Sequence, residues 1–279
     1  MKALEVERLT KVYPKFTLDG VSFSVEEGRT AGLIGRNGAG KSTTLKGILG
    51  MISATGAVKV FGRDRADGER EVKECVGYVG GGFRHYPAKR LSSIAKTVSR
   101  FYPRWNDAVY RKYLAEFSLD EAKKIRELSE GMKVKFSLLL ALSSGAKLLI
   151  LDEPTSGLDP LSREEFCDVI LSLTEQEGVS VLFSTHITSD LEKIADDVIY
   201  LSEGKILFNE PLNDLTNRFA LARFSEEDAA RRAGAIGIKR IKEGYEGLLP
   251  FGSHSEQTQK ATLDDIIVHF EYAKRRAEC

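Results

Sequence analysis

The sequence predicts an α/β fold, and three observations carry that prediction. Strand-type runs alternate with helix-type runs through most of the chain. A short apolar run feeds a glycine-rich loop that opens directly into an amphipathic helix. A helical stretch then interrupts the strand pattern before strands return.

In order, residues 21–25 alternate apolar and polar, with Glu26-Glu27-Gly28 as the turn that follows. Residues 30–34 have the unbroken apolar character of a buried strand, and 42–49 carry Leu45, Ile48 and Leu49 on one helical face. Residues 57–61 and 75–79 are further strands, separated by a charged stretch over 62–73. From about 84 to 145 the pattern is helical: 91–101, then 106–117 opened by an Asn or Asp cap, then a helix from Ser129 through Phe136 and Leu140 to a Gly145 stop. Strands return at 147–152, 180–184 and 197–201, the last pairing with 205–208 across a Glu203-Gly204 turn. A helix over 162–173 is expected between them, with Ser162 and Glu165 as a capping box and Phe166, Val169, Ile170 and Leu173 as its buried stripe. These elements define a main domain over 1–215 with a helical insertion at about 84–145. A small α+β accessory region over 216–279 ends in a helix near 263–273.

The 279 residues include 41 basic and 41 acidic side chains, 42% hydrophobic residues and 29% charged ones, the proportions of a soluble globular protein. Zero net charge argues against a bulk nucleic-acid binder, and no nucleic-acid partner is expected. No run reaches the roughly 18 apolar residues of a membrane span. The N-terminus carries acids where a signal peptide would be apolar. Cys75, Cys167 and Cys279 lack metal-ligand or disulfide spacing and read as reduced thiols, so an intracellular protein is expected.

Gly35-Arg36-Asn37-Gly38-Ala39-Gly40-Lys41-Ser42 fits G-x-x-x-x-G-K-S/T at every fixed position. A polyphosphate needs several backbone N–H groups converging on it, and residues without bulky side chains let the chain wrap that closely. The following helix aims its positive end at the same anion. Lys41 is placed for the β- and γ-phosphates, the Ser42 hydroxyl for Mg²⁺, and Thr43 for a more internal phosphate.

Residues 148–151 form an apolar strand that ends in Asp152 and Glu153. Unpaired charge is expensive to bury, so two acids at the end of such a strand call for a partner. Facing a phosphate loop, Asp152 can hold hydrated Mg²⁺. Strand alternation puts Glu153 on the opposite side of the pleat, where it can activate a water.

Together these residues resemble the ATP-binding cassette (ABC) ATPases. Leu128-Ser129-Glu130-Gly131-Met132 resembles the family's LSGGQ signature, Ser156-Gly157-Leu158-Asp159 its D-loop, and Ser184-Thr185-His186 its switch-histidine segment. Tyr13 stands where the family stacks an aromatic on adenine, although aromatics in strand-rich segments also serve as packing residues. The likeness covers about residues 2–212. It implies a P-loop NTPase core of ABC type with an N-terminal antiparallel β subdomain, an inserted helical subdomain and the small C-terminal appendix. It also implies a head-to-tail pair, homodimer or heterodimer, with two ATP at the interface. Ser129 and Gly131 of one subunit would then meet the nucleotide held by its partner's Lys41, with Asp159 alongside. Glu153 and His186 are the expected catalytic residues. Alone, Ser129 would be read as a helix cap, and His186 equally as a surface or a functional histidine. His85, His254 and His269 have no comparable setting.

Two departures stand out. The family usually has a glutamine or glutamate a few residues past the 76–79 strand, where this chain reads Gly80-Gly81-Gly82; Gly81 takes its place. Glu130 replaces the first signature glycine, and beside a phosphate it should pair with a base such as Lys133. Met132 replaces the usual signature glutamine, a variation associated with peptide and drug exporters.

Phe83, Tyr86, Phe101, Tyr102 and Trp105 cluster in or beside the insertion, either as its own core or as a docking face. The expected function is the ATP-hydrolysing subunit of an exporter, using ATP and Mg²⁺. It would sit in the cytoplasm on the inner face of the cell membrane, with a separate transmembrane permease as partner. A soluble cassette acting on ribosomes or nucleic acid, and a weakly hydrolysing regulatory module, are the alternatives.

Overall fold

The computed structural model describes residues 1–81, 85–252 and 258–277, and the chain divides into two compact units, Met1–Asn209 and Glu210–Cys279. In chain order the first unit runs β1 (Lys2–Tyr13), β2 (Phe16–Glu26), β3 (Thr30–Ile34), α1 (Lys41–Ile48), β4 (Thr55–Val60), β5 (Arg63–Asp64), α2 (Glu69–Cys75) and β6 (Val76–Gly80). The insertion follows as α3 (Leu91–Val98), α4 (Asp107–Glu116), a 3-10 turn (Ile125–Glu127) and α5 (Glu130–Ser143). The unit closes with β7 (Leu148–Asp152), α6 (Pro160–Glu177), β8 (Ser180–Thr185), α7 (Thr188–Ile194), β9 (Asp197–Ser202) and β10 (Lys205–Pro211), whose last two residues cross the division.

Two sheets build this unit. One has the order β2-β1-β4-β5 and pairs antiparallel; the other has the order β10-β9-β3-β8-β7-β6 and is parallel from β9 to β6. β3 and β8 are buried at every position and β7 at all but Asp152, the signature of parallel strands covered on both faces. Leu4, Val6, Leu18 and Phe23 of the antiparallel sheet share one core with Leu45 of α1 and Ile150 of β7. That core clamps α1 at the carboxyl ends of the parallel strands, where open α/β sheets bind their ligands. The β9–β10 hairpin turns at Glu203 (φ 47°) and Gly204 (φ 79°), as the sequence predicts.

Several elements differ from expectation. α6 starts at Pro160, and its cap is Asp159 rather than Ser162: proline pre-sets the first helical position, and the Asp159 carboxylate accepts from Ser162 N at 3.0 Å and Ser162 Oγ at 2.6 Å. Glu165 is turned to Lys135 (2.7 Å) and closes no capping box. α3 stops at Val98, short of 101, as the chain approaches Tyr102-Pro103 and the residue before a proline is pushed out of the helical region. The charged stretch 62–73 holds β5 and most of α2, a helix laced by Lys73–Glu69 and Arg70–Glu74 pairs with Val72 its one buried residue; it shows no apolar period to read.

The second unit runs α8 (Leu212–Arg218), β11 (Phe219–Phe224), α9 (Glu227–Arg232), β12 (Ile236–Ile241), β13 (Gly244–Pro250), β14 (Thr258–Lys260) and α10 (Leu263–Ala277). Its sheet has the order β12-β13-β11-β14, all antiparallel, and α10 packs on β12. His269 is buried there, its Nδ1 2.6 Å from Gly237 O.

Among the described residues no helix is long and apolar enough to cross a membrane, and no group of three or more His, Cys, Asp or Glu has the arrangement of a metal centre. Cys75 and Cys167 are free thiols; burial pushes the Cys167 thiol up to about 12. Cys279, His254, Phe83 and Gly82 lie outside the described residues.

Candidate active site

Residues 35–40 leave β3 and wrap into α1. Gly35 has no room for a side chain, since a Cβ there would stand 2.3 Å from Leu201 O. Gly40 sits at φ 112°, and its Cβ would stand 2.7 Å from Phe16 Cζ. No side chain caps α1, so the helix start is left to an incoming anion. The resulting cavity, of 350 Å³, is lined by Arg36, Asn37, Gly38, Gly40, Lys41, Ser42 and Thr43 of the loop and α1. Glu153, Ser156 and His186 complete it from the ends of β7 and β8. Gly35 and Ala39 lie in the loop itself, where Ala39 N donates to Arg36 O at 3.0 Å and Ala39 O accepts from Gly204 N at 2.9 Å.

The charged groups meet across this cavity. Lys41 is buried; its Nζ donates to Gly35 O at 2.7 Å and pairs with Glu153 Oε1 at 3.2 Å. The other oxygen, Glu153 Oε2, lies 2.7 Å from His186 Nδ1. Ser42 Oγ donates to Asp152 Oδ1 at 3.2 Å, and Ser184 Oγ reaches the same oxygen at 3.5 Å. Glu153 is aimed by a device that sequence alternation misses. It follows the last residue of β7 in the left-handed region, at φ 51°, held by Glu153 N to Ser184 O (2.9 Å) and Ser156 N to Glu153 O (3.2 Å). The left-handed turn, rather than the pleat, swings its carboxylate to Lys41.

A second cluster forms elsewhere in the same unit. Ser129 caps α5, its Oγ accepting from Met132 N at 3.2 Å. Gly131 sits against α6: its Cβ would stand 3.4 Å from Ser162, the residue that Asp159 holds. The Ser162 hydrogen bonds keep the Asp159 carboxyl below the usual range. Neither Ser129, Gly131 nor Asp159 lines the phosphate-loop cavity. Glu130 pairs with Lys133 at 2.7 Å, the partner that the sequence suggested.

Tyr13 ends β1 opposite Phe16, exposed, with Lys11 Nζ 5.4 Å from its ring centroid. The aromatic that lines the cavity is Phe16, which the sequence reading missed; its contact with Gly40 is visible only in three dimensions. At the edge of the sheet, Gly81 N donates to Asp152 O at 3.1 Å. The aromatics near the insertion divide. Trp105 packs on Tyr110 within it, centroids 5.7 Å apart, whereas Tyr86 and Phe101 are exposed. Tyr102 borders a 240 Å³ cavity with Tyr78, His85 and Val98.

Comparison with known proteins places the chain in one family. The family model described as ABC transporter matches residues 18–156. The chain is 33% identical over 216 residues to the bacitracin transport ATP-binding protein BcrA of Bacillus licheniformis, covering 75% of this chain and 70% of that one. It is 32% identical over 220 residues to the lantibiotic transport ATP-binding protein SrtF of Streptococcus pyogenes, covering 77% and 93%. A solved ATP-binding subunit of an ABC transporter superposes with a TM-score of 0.68 at 30% identity, over 76% of this chain and 91% of that one. A cassette solved as a dimer in a post-hydrolysis state with ADP and Pi shares the fold (TM-score 0.64, 22% identity, 75% and 98% coverage). The chain belongs to the ABC transporter family, as an ATP-binding subunit that hydrolyses ATP.

Proposed function

We propose that this chain is the motor of an exporter. Two cassettes, identical or different, close head to tail on two ATP molecules and reopen on hydrolysis, driving a separate transmembrane permease at the inner face of the cell membrane. The observation that carries the reading is the separation of two clusters in one chain: Lys41, Ser42, Glu153 and His186 share a cavity to which Ser129 and Gly131 contribute nothing. A second cassette is the source of that missing wall. The relatives named for bacitracin and lantibiotic transport favour a drug or peptide cargo.

In this mechanism Arg36, Asn37, Gly38, Ala39 and Gly40 wrap the phosphates with backbone N–H groups, and Thr43 bonds an inner phosphate. Lys41 exchanges Gly35 O and Glu153 for the β- and γ-phosphates. Ser42 and Asp152 present oxygen donors 3.2 Å apart, the donor type that Mg²⁺ takes, and they would hold it. Bound there, Mg²⁺ supplies neutralising charge across the phosphates. Glu153, released by Lys41, accepts the proton of the attacking water, and His186 holds Glu153 through Nδ1 and faces the γ-phosphate. Tyr13 and Phe16 offer aromatic faces to the adenine. The partner's Ser129 and Gly131 bring a positive helix start to the γ-phosphate, with Asp159 beside them.

The test uses Glu153→Gln protein assembled with its permease at saturating ATP and Mg²⁺. A closed pair of cassettes is expected, and Lys41→Ala should abolish it. Failure of the hydrolysis-dead protein to close would remove the motor reading.

A further inference from the structure

The chain as a whole is neutral, but its helical insertion is not. Between His85 and Leu128, ten Lys and Arg stand against five Asp and Glu. The fold draws five of those cations into one place. Residues 87–91 and 123–126 run antiparallel, with Arg126 N donating to Pro87 O at 3.0 Å, and Ile125 N to Lys89 O and Leu91 N to Lys123 O at 3.1 Å. Arg90 and Lys124 are direct partners across this ribbon, and Lys89, Lys123 and Arg126 flank them. Leu91 and Ile125 are buried and anchor the ribbon, whereas Lys89, Arg90, Lys123 and Arg126 are exposed and Lys124 is half-buried.

Among the described residues none of the five makes an ion pair, although Lys112, Lys133 and Lys135 of the same insertion each find a glutamate. The nearby acids are spent on other donors: Asp120 accepts from Ala122 N (2.9 Å), Glu121 from Tyr110 Oη (3.3 Å) and Glu127 from Lys124 N (2.8 Å). Like charges directly opposite on paired strands oppose folding, so internal stability does not account for Arg90 beside Lys124. An external anion does. The five line neither the 350 Å³ nor the 240 Å³ cavity, so they form an open strip rather than a pocket for one small anion. Tyr86 stands exposed beside them, at the head of a turn that Lys89 N closes on Tyr86 O at 2.9 Å. Open cations with an aromatic at their edge have the composition of a surface that meets anionic lipid.

We infer that this ribbon docks on the anionic phospholipid headgroups of a membrane surface, holding the insertion there by charge without entering the hydrocarbon. The inference rests on the proposed placement at the inner face of the cell membrane, where anionic lipids give a negative surface potential. Nucleic acid is the poorer match, because the chain has no net positive charge to draw it.

The test sediments the full-length protein, without permease, with vesicles of phosphatidylcholine alone or mixed with phosphatidylglycerol. Wild type should bind the mixed vesicles, lose them as salt is raised, and ignore the neutral ones. A variant combining Arg90→Gln, Lys123→Gln, Lys124→Gln and Arg126→Gln should bind mixed vesicles about a hundredfold more weakly, or less. Its thermal midpoint and permease-free ATP turnover should not fall. A control that removes the same charge from exposed positions elsewhere, Lys15→Gln, Arg63→Gln, Arg240→Gln and Lys242→Gln, should stay close to wild type. Equal binding of wild type to both kinds of vesicle, or to neither, overturns the inference. So does an equal loss in the two variants, or a wild type that leaves vesicles alone while the ribbon holds RNA or polyglutamate. If vesicle binding fails while Glu153→Gln cassettes still close on ATP with their permease, the lipid contact falls and the motor reading stands.

Discussion

Lys41 Nζ stands 3.2 Å from Glu153 Oε1, so the cation proposed to bind the phosphates and the carboxylate proposed to activate the water are paired with each other. The lysine is buried and the glutamate mostly so, which leaves little solvent to screen them. In the proposed mechanism an incoming triphosphate therefore has to take Lys41 from Glu153, and the same exchange frees Glu153 to act as base.

Glu153→Gln is expected to lower turnover by about 10²–10⁴-fold, the range for loss of a positioned general base. ATP affinity should hold or rise, because the amide neither competes for Lys41 as a charge nor repels the γ-phosphate. Single-turnover hydrolysis and equilibrium titration with labelled ATP measure the two halves. A variant that hydrolyses at the wild-type rate would remove Glu153 from the mechanism.

Glu130 carries a charge beside the start of α5, yet its Oε1 lies 2.7 Å from Lys133 Nζ. The pair keeps the helix start from presenting an uncompensated anion to the phosphate proposed to face it. Glu130→Gly leaves Lys133 to add positive potential there, against a helix-propensity cost of about 1 kcal/mol. ATP-driven dimerisation in the Glu153→Gln background should be kept or strengthened. Sedimentation equilibrium measures it, and a strong loss would give the acid an essential role.

Much of this arrangement was legible in the sequence because its signals are local. The phosphate loop follows directly on β3, and Asp152 directly on the apolar run of β7, so chain order alone puts both at one sheet end. What escaped depends on contacts between distant segments or on a single dihedral. Phe16 reaches the loop only because Gly40 leaves space for its ring. Glu153 is aimed by a positive φ that a glutamate does not advertise. The α6 cap moved from Ser162 to Asp159 because Pro160 already fits the first helical position. α2 was hidden by its composition, being held by ion pairs along an exposed face rather than by an apolar stripe.

Thr155 Oγ1 donates to Asp190 Oδ2 at 2.6 Å, and both residues are buried. Asp190 lies in α7, four residues past His186, and Thr155 two past Glu153, so this bond ties together the segments that carry the proposed catalytic pair. Arg163 reaches the same carboxylate only at 3.9 Å. Thr155→Val leaves a buried carboxylate short of its donor and should cost about 1–3 kcal/mol. Thr155→Ser should recover most of it. Urea unfolding of the three proteins tests the prediction, which fails if valine and serine are equivalent.

Glu177, at the end of α6, receives both Tyr113 Oη and Lys112 Nζ of α4 at 2.5 Å, tying the helical insertion to the α/β core. Burial works to raise the Glu177 carboxyl, but the hydrogen bonds from Lys112 and Tyr113 and the lysine charge outweigh it, and the net shift is downward. Burial and the same carboxylate push the Tyr113 hydroxyl up, so it remains a donor at neutral pH. A carboxyl depressed on folding adds stability above its unfolded value of about 4.5, and that stability is lost as pH falls through the lower folded value. Glu177→Gln should therefore be less stable than wild type at pH 7, by about 1 kcal/mol after allowing for the exposure of Lys112. The difference should shrink steadily as the solution is acidified below pH 4.5. Denaturation midpoints measured from pH 7 downward check the sign, and a gap that widens towards acid would show that the tie does not depend on the charged carboxylate.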